Sequence, residues 1–214
     1  MMRTQETTRV NIQLKDGTPV LLRPVLPGDR QRLQTGLLLM SAESRYRRFF
    51  LPMPGFSEEQ LDYFTKVDQE NHIAWVALDW SVAGLPGLGI ARFIRYPDKP
   101  SMAEVAFAVI DSFQGRGLGT ALLATLYLVA QARAIETLRA VVLADNGTVA
   151  AWLRRLGALG KPASDGVMEL DLPVHRDLSR LPQNPTGKQF KKLLKTLSQG
   201  LYHPASPGKI LPVG

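Results

Sequence analysis

The 214-residue chain contains no cysteine. Disulfides, thiolate metal sites and cysteine nucleophiles are therefore excluded. Its three histidines, His72, His175 and His203, are too scattered to suggest a zinc cluster, so metal-free chemistry is the default expectation. The Gly-Lys-Ser/Thr tripeptide of a nucleotide phosphate loop is missing as well. No window approaches the roughly 18 consecutive apolar residues of a membrane span. Residues 1–14 alternate polar residues where a signal peptide needs an apolar centre. A cytoplasmic location is the corresponding expectation.

What is present is a soluble, globular composition, 45% hydrophobic and 21% charged, with enough length for one core of ordinary depth. The economical division is one domain, residues 1–173, and a basic, proline-containing extension, residues 174–214. Arg176, Arg180, Lys188, Lys191, Lys192, Lys195 and Lys209 face only Asp177 there, so six of the seven net positive charges belong to the extension. Within it, Phe190, Leu193, Leu194 and Leu197 follow an i, i+3, i+4, i+7 spacing with lysines between them, which predicts a basic amphipathic helix over 188–198. Such a helix has three fates: docking on its own or a neighbouring domain, binding an acidic partner or membrane surface, or remaining unfolded. Prolines 182, 185, 204, 207 and 212 separate it from any sheet.

Along the chain, residues 11–14 and 20–25 flank Asp16-Gly17, a hairpin signal. Helical patterns follow Asp29 through Met40, over 43–50, and from Ser57 through Phe64. Residues 72–78, 89–96 and 104–110 read as three strands joined by short turn-rich segments, which favours an antiparallel meander. The pattern then changes to a helix over 121–134, a strand over 138–143, a helix ending at Leu156-Gly157, and a last strand over 167–172.

The junction between the third meander strand and the long Ala/Leu-rich helix reads Gln114-Gly115-Arg116-Gly117-Leu118-Gly119-Thr120. A helix N-terminus offers unpaired N–H groups and the positive end of the macrodipole, and glycines let a pyrophosphate reach that bare backbone. Arg116 adds a possible charge-assisted contact. A Rossmann fingerprint would need glycine at Thr120 and a ribose-reading acid about 20 residues on. Thr120 fails the first test, and Glu136 does not end a second parallel strand of the right kind.

The run Gln/Arg-x-x-Gly-x-Gly/Ala resembles the coenzyme A pyrophosphate loop of the GNAT family of N-acetyltransferases. The order that follows, strand, Asn146, helix, Leu156-Gly157, is similar to that family's second half, so the resemblance extends over roughly residues 20–172. Ser44-Arg45-Tyr46-Arg47-Arg48-Phe49-Phe50 looks most like bacterial protein-lysine acetyltransferase domains. The resemblance implies a GNAT fold of the α/β (α+β) class: a mixed, mostly antiparallel central sheet flanked by helices. It also implies acetyl-CoA bound by the main chain of Ala108, Val109 and Ile110, by the loop from Gln114 to Thr120, and by Asn146. The implied activity is transfer of an acetyl group to a primary amine, with a protein lysine as the leading acceptor. Transfer to a small amine and cofactor binding without catalysis stay open as alternatives. Glu43, Glu58, Glu59 and Asp68 are the only obvious acids for a small-amine pocket. The extension would suit an acidic partner or a neighbouring subunit, and nucleic acid is not expected.

Acetyl transfer needs a held carbonyl, a deprotonated amine and a proton for the leaving thiolate. The resemblance assigns the first to the amide of Val109 or Ile110. A lysine amine, with a pKa of about 10.4, requires a base, and Glu104 at the start of the strand is the candidate, with Phe107, Trp75 or Trp80 lowering local polarity. The competing role for Glu104 is a solvated or Arg92- or Arg95-paired carboxylate. Asn146 is equally suited to capping the helix that follows it. The tyrosine that relatives place seven residues after this asparagine is here Leu153, which leaves the general acid unassigned. Arg45, Arg47 and Arg48 with Tyr46 make a basic, aromatic patch that suits an acidic protein substrate or the 3′-phosphate of the cofactor and suits a solvated helix face as well; no catalytic role is assigned to it.

Overall fold

Strands β1 (Val10–Gln13) and β2 (Pro19–Pro24) form a hairpin. Gly17 takes a φ of +88° in its turn, where the Thr18 amide donates to Asp16 Oδ1 at 3.1 Å. These positions belong to a computed structural model that describes residues 9–162, 166–202 and 210–212. Residues 1–8, His203, Pro204, Pro207 and Lys209 of the readings above lie outside the described residues. Three helices cover one side of the sheet: α1 (Arg30–Leu38), α2 (Ala42–Phe49) and α3 (Glu58–Thr65). Each start is chemically marked. Asp29, almost fully buried, receives both Arg23 guanidinium nitrogens at 2.6 and 2.7 Å; burial would raise its carboxyl, yet Arg23 and the Leu26 amide hold it below the usual range. Ser41 caps α2 through the Ser44 amide, and Ser57 with Gln60 closes a capping box on α3.

The meander is β3 (His72–Asp79), β4 (Gly87–Tyr96) and β5 (Lys99–Val109), antiparallel throughout. Strand β5 begins well before Glu104, inside the segment expected to be turn. A register shift beside Arg95 leaves residues 100–102 without a β4 partner, and that bulge accommodates Pro100. The chain continues through α4 (Leu118–Ala132), β6 (Thr137–Leu143), α5 (Gly147–Arg155), β7 (Leu159–Pro162), β8 (Val167–Pro173), α6 (Pro185–Tyr202) and β9 (Ile210–Pro212). Among the described residues the strands form one nine-stranded sheet in the order β7-β8-β6-β5-β4-β3-β2-β1-β9. Only the β5–β6 and β1–β9 contacts are parallel. Strands β7 and β9, not anticipated, are short edge strands of four and three residues.

Helix α4 is apolar on every side: Leu118, Ala121, Leu122, Leu123, Ala124, Leu126, Tyr127 and Ala130 are all buried. A helix of that kind needs cover on both faces. The sheet provides one face and α6 the other. The amphipathic spacing in the extension is therefore that of a docked helix, longer than the expected 188–198. Phe190, Leu194 and Leu197 are fully buried in the same core cluster as α4, and Phe190 meets the Tyr127 ring edge-on at 5.5 Å. The Tyr127 hydroxyl accepts the His175 amide at 2.6 Å, which ties the chain entering α6 to the core.

On the opposite side, α3 is held to the sheet by a stack of rings and a guanidinium. Arg92 on β4, 5% exposed, lies 4.3 Å from the Phe64 ring centre and donates from Nη1 to His72 Nε2 at 3.2 Å. Arginine can only donate, so that nitrogen carries the lone pair of a neutral imidazole. Burial, then the Arg92 charge, push His72 down to about 4, against the weaker pull of Asp68. Burial and the neighbouring Arg48 push Arg92 itself down to about 9.

Two stability measurements follow. Leu194→Ala should cost about 3 kcal/mol by leaving a cavity against α4, read as a shift of the urea midpoint; a change below about 0.5 kcal/mol would mean that α6 does not cover α4 in solution. Because His72 titrates lower when folded than its ordinary 6.5, the unfolded chain takes up a proton first. The stabilisation is complete above pH 6.5 and is lost as pH falls towards 4. Unfolding free energy should drop by about 1 kcal/mol between pH 7 and pH 5 from this group, after discounting for its partial exposure. The His72→Gln variant should lack that component; an unaltered pH dependence in the variant would refute the assignment.

Candidate active site

Strands β5 and β6 pair over only three positions, Met102 with Thr137, Ala103 with Leu138 and Glu104 with Arg139. Beyond Glu104 they part, and a cleft of about 610 Å3 opens between them. One wall is the β5 segment from Glu104 to Val109; the other is Ala140, Val141 and Val142 of β6, with Asn146, Thr148, Val149 and Trp152 from the start and face of α5. Trp152 stands edge-on to Phe107 at 5.4 Å.

The direction of the β5 main chain follows from its pairing. The Ile110 amide donates to Leu88 O at 3.0 Å. Antiparallel alternation then points the even-numbered residues of this stretch at β4 and turns Phe107 and Val109 into the gap. The Val109 carbonyl confirms its own direction, since Gln114 Nε2 reaches it at 3.1 Å. Of the two amides considered for polarising a carbonyl, that of Ile110 is thus already engaged and that of Val109 faces the cleft. Ala108 contributes its side chain to the cleft wall, while its main-chain groups face β4 by the same alternation.

The glycine loop closes the end of the cleft. Gly115 and Gly117 have φ of +73° and +92°, the left-handed region where other residues are strained. Gly117 is the N-cap of α4, and the first helical bond runs from the Ala121 amide to Gly117 O. The amides of Leu118, Gly119 and Thr120 have no acceptor within the helix. Gly115, Gly117, Gly119 and Thr120 line the cleft, whereas Leu118 buries its side chain in the core and offers only main chain. Arg116 does not line it: its guanidinium pairs with Asp16 at 2.7 Å and lies 4.7 Å from the Phe113 ring centre. Gln114 does line the cleft, and its side chain lies within 3.2 Å of Ser44 Oγ and Asp111 Oδ1. That contact fastens α2 to the loop. Asn146 caps α5 through the Val149 amide at 3.4 Å and also lines the cleft.

Glu104 sits where the strands separate, exposed and lining the cleft. The Tyr96 hydroxyl donates to its Oε2 at 3.3 Å, and burial together with that carboxylate keeps the phenol above its ordinary value and so protonated. Of the apolar groups expected near it, Phe107 lines the same cleft but stands against Trp152 of α5, Trp75 is buried in the core and Trp80 is exposed at the far end of β3. The two arginines considered as its partners are also engaged elsewhere, Arg95 with the carbonyls of Pro100 and Arg133, and Arg92 with His72 and Phe64.

Helix α2 brings part of the basic patch read from the sequence to the cleft. Ser44, Arg47 and Arg48 line the cleft, with Phe50, Met40 and Lys15. The i, i+3, i+4 spacing of 44, 47 and 48 was the available signal; Arg45 and Tyr46 are off that face. Arg48 is held below the ordinary arginine value by burial, against the favourable pull of Glu104 and Tyr63. Leu153 is 1% exposed and packs in the core, so the α5 residue facing the cleft at that level is Trp152. The acids named for a small-amine pocket do not converge: Glu43 pairs with Arg47, Glu58 with Arg30, Glu59 is exposed, and Asp68 accepts the amides of residues 70–72. Among the described residues no group of histidines and acids could hold a metal ion, and no helix is long and apolar enough to cross a membrane.

The cleft fits a coenzyme A thioester: free amides at a helix start for a pyrophosphate, a lateral main-chain face for the pantetheine arm, and cations at the rim. Comparison with known proteins agrees. The family model of the acetyltransferase (GNAT) domain matches residues 20–159. The chain is 37% identical over 169 residues to acetyltransferase Pat of Mycolicibacterium smegmatis, covering 78% of this chain and 50% of that protein, so it spans about half the length of that relative. An acetyltransferase from Pseudomonas aeruginosa is 28% identical over 163 residues, 76% of this chain and 86% of its own. Among solved structures, the GNAT domain of S. lividans PAT superposes with a TM-score of 0.71 at 31% identity, over 77% of this chain and 96% of that one. With the splayed strands, the glycine loop and the family match in agreement, the chain belongs to the GNAT family of acetyltransferases, whose cofactor is acetyl-CoA.

Proposed function

We propose that the protein is an N-acetyltransferase acting in the cytoplasm on a primary amine, with a protein lysine as acceptor, and that residues 1–173 carry this activity while residues 174–214 stabilise it. The observation that carries the reading is the Val109 amide turned into a gap that ends at three free amides of α4. Acetyl-CoA supplies the activated acyl group. The loop amides of Leu118, Gly119 and Thr120 hold its pyrophosphate, Asn146 and the β6 wall flank the arm, and Val109 N–H donates to the acyl oxygen, a rigid donor that costs no reorganisation as charge develops there. Glu104 takes the amine proton, directly or through a water. The nitrogen then bonds to the acyl carbon as the C–S bond breaks, and the second proton shed by that nitrogen passes through water to the departing thiolate. Leu153 offers no proton, and a thiol with an ordinary pKa of about 8.5 leaves without a side-chain acid.

A wide cleft with its acids dispersed supports a macromolecular acceptor over a small amine. Lys15, Arg47 and Arg48 border the cleft, which suits the phosphates of the cofactor and an acceptor that reaches Glu104 with a single extended side chain.

The test is thiol release from acetyl-CoA with lysine-containing protein, lysine peptide and small amines compared. Glu104→Gln should lower kcat/KM roughly 100-fold or more with cofactor affinity unchanged; a loss below about threefold would remove Glu104 as the base. Gly117→Val, forced out of the left-handed region, should weaken cofactor binding at least tenfold, about 1.4 kcal/mol, in calorimetry. Tight cofactor binding with no thiol released across the whole panel would leave a cofactor-sensing module, the reading that Leu153 favours.

A further inference from the structure

The last parallel pair before the strands part sets Glu104 beside a cation, Arg139 of β6. Residues in register on adjacent strands carry their side chains on one face of the sheet, with the strands about 4.8 Å apart. An arginine so placed is within reach of the glutamate and attracted to it. Here it is taken by other acids. Arg139 Nε and Nη2 donate to Asp171 Oδ1 and Oδ2 at 2.7 and 2.8 Å, and Nη1 pairs with Glu169 Oε2 at 2.9 Å. All three guanidinium nitrogens thus have carboxylate partners on β8, whose antiparallel register sets Asp171 opposite Arg139 and Glu169 opposite Val141. The two bonds to Asp171 form the parallel fork that fits guanidinium to carboxylate. They are the leading reason that Arg139 holds its proton more firmly than an ordinary arginine.

Glu104 keeps a different contact. Its Oε2 accepts from the Tyr96 hydroxyl, a neutral donor. The register shift beside Arg95 brings that ring into place, because it pairs Tyr96 with Lys99 instead of continuing along β5. The phenol also senses the charges of Arg139 and Glu169, so it lies beside both the Glu104 carboxylate and the ion cluster. From the cleft side Arg48 of α2 attracts Glu104, and Lys15 and Arg47 line the same cleft.

We propose that Asp171 and Glu169 are positioning residues for the transfer reaction: by holding Arg139 they keep Glu104 out of an ion pair and free to act as the base. The inference rests on the function proposed above, which assigns Glu104 that role. A carboxylate bound by a guanidinium accepts a proton less readily, and its oxygens are occupied. With the β8 acids removed, Glu104 is the carboxylate in register beside Arg139. A ladder that merely ties β8 to β6 predicts something different, since loss of Arg139 would then add to the damage from loss of Asp171.

The test uses the full chain, thiol release from acetyl-CoA with a lysine peptide, and calorimetry with acetyl-CoA. Asp171→Asn keeps the side-chain shape and breaks the fork. It should lower kcat/KM about tenfold, the scale of one hydrogen bond to a charged group, with cofactor affinity unchanged. Adding Arg139→Gln to that variant should bring kcat/KM back to within about threefold of the wild type. The double variant has the net charge of the wild type, so the recovery is not an effect of overall field. Asp171→Glu, which keeps the anionic partner, should retain most of the activity. Where Asp171→Asn impairs folding, Glu169→Gln releases the same guanidinium at one nitrogen and should give a smaller loss that Arg139→Gln also reverses. An Asp171→Asn loss below about threefold, or a loss that Arg139→Gln does not reverse, would overturn the proposal while Glu104→Gln stays impaired and the base assignment stands. A Glu104→Gln variant as active as the wild type, or no thiol release from the wild type with any amine, would overturn both readings together.

Discussion

The structure turns on a parallel pairing that stops after three residues. Once β6 leaves β5 beyond Glu104 and Arg139, the odd-numbered main-chain groups of β5 lose their partner, and orphaned amides and carbonyls must find another. Gln114 reaches back to the Val109 carbonyl, while Ile110 stays fastened to Leu88 on β4. That leaves the Val109 N–H as a donor inside a rigid wall. A side-chain donor would have to be ordered for the purpose; this one is held by the sheet. The base candidate stands at the same fork, because Glu104 is the last residue before the strands part.

Helix α4 joins this site to the stability of the fold. Its first turn supplies the free amides of the phosphate end, and its remaining turns are so apolar that they require cover on both sides. The same helix therefore carries the binding loop and the demand for α6. An extension that composition marks as a charged appendage is, through Phe190, Leu194 and Leu197, part of the core. Its lysines lie between the buried positions because the outer face of a covering helix meets water.

Much of this was legible in the sequence because it depends on local chemistry. Apolar runs between turn-rich segments marked the meander, Ser57 with Gln60 marked α3, and alternating glycines at a strand-to-helix junction marked a place where left-handed residues precede free amides. What was not legible was which face of each element meets which neighbour. Counting seven residues from Asn146 lands on Leu153, but the packing of α5 turns Trp152 to the cleft and Leu153 to the core. Arg45 to Arg48 read as one patch, and the helix divides it, with 47 and 48 bordering the cleft and 45 off it. Arg116, beside the glycines, pairs with Asp16 across the β1–β2 turn, a contact the sequence did not show. Edge strands β7 and β9 were missed because three or four residues are too short to establish a period.

The electrostatics of the cleft impose an order on its two ligands. Among the described residues Glu104 is the one carboxylate that lines it, with Lys15, Arg47 and Arg48 on the same walls. An ammonium group approaching this surface is opposed by those cations, and more so inside a low-dielectric cleft than in water. A bound polyphosphate reverses the local sign of the field, as any large local charge does. Cofactor first and amine second is therefore the favourable sequence. Arg48 makes the dependence sharpest: it borders the cleft, its charge is disfavoured by burial, and the carboxylate that stabilises it is the same Glu104. An anion beside Arg48 would offset that burial and loosen its claim on Glu104, the proposed base.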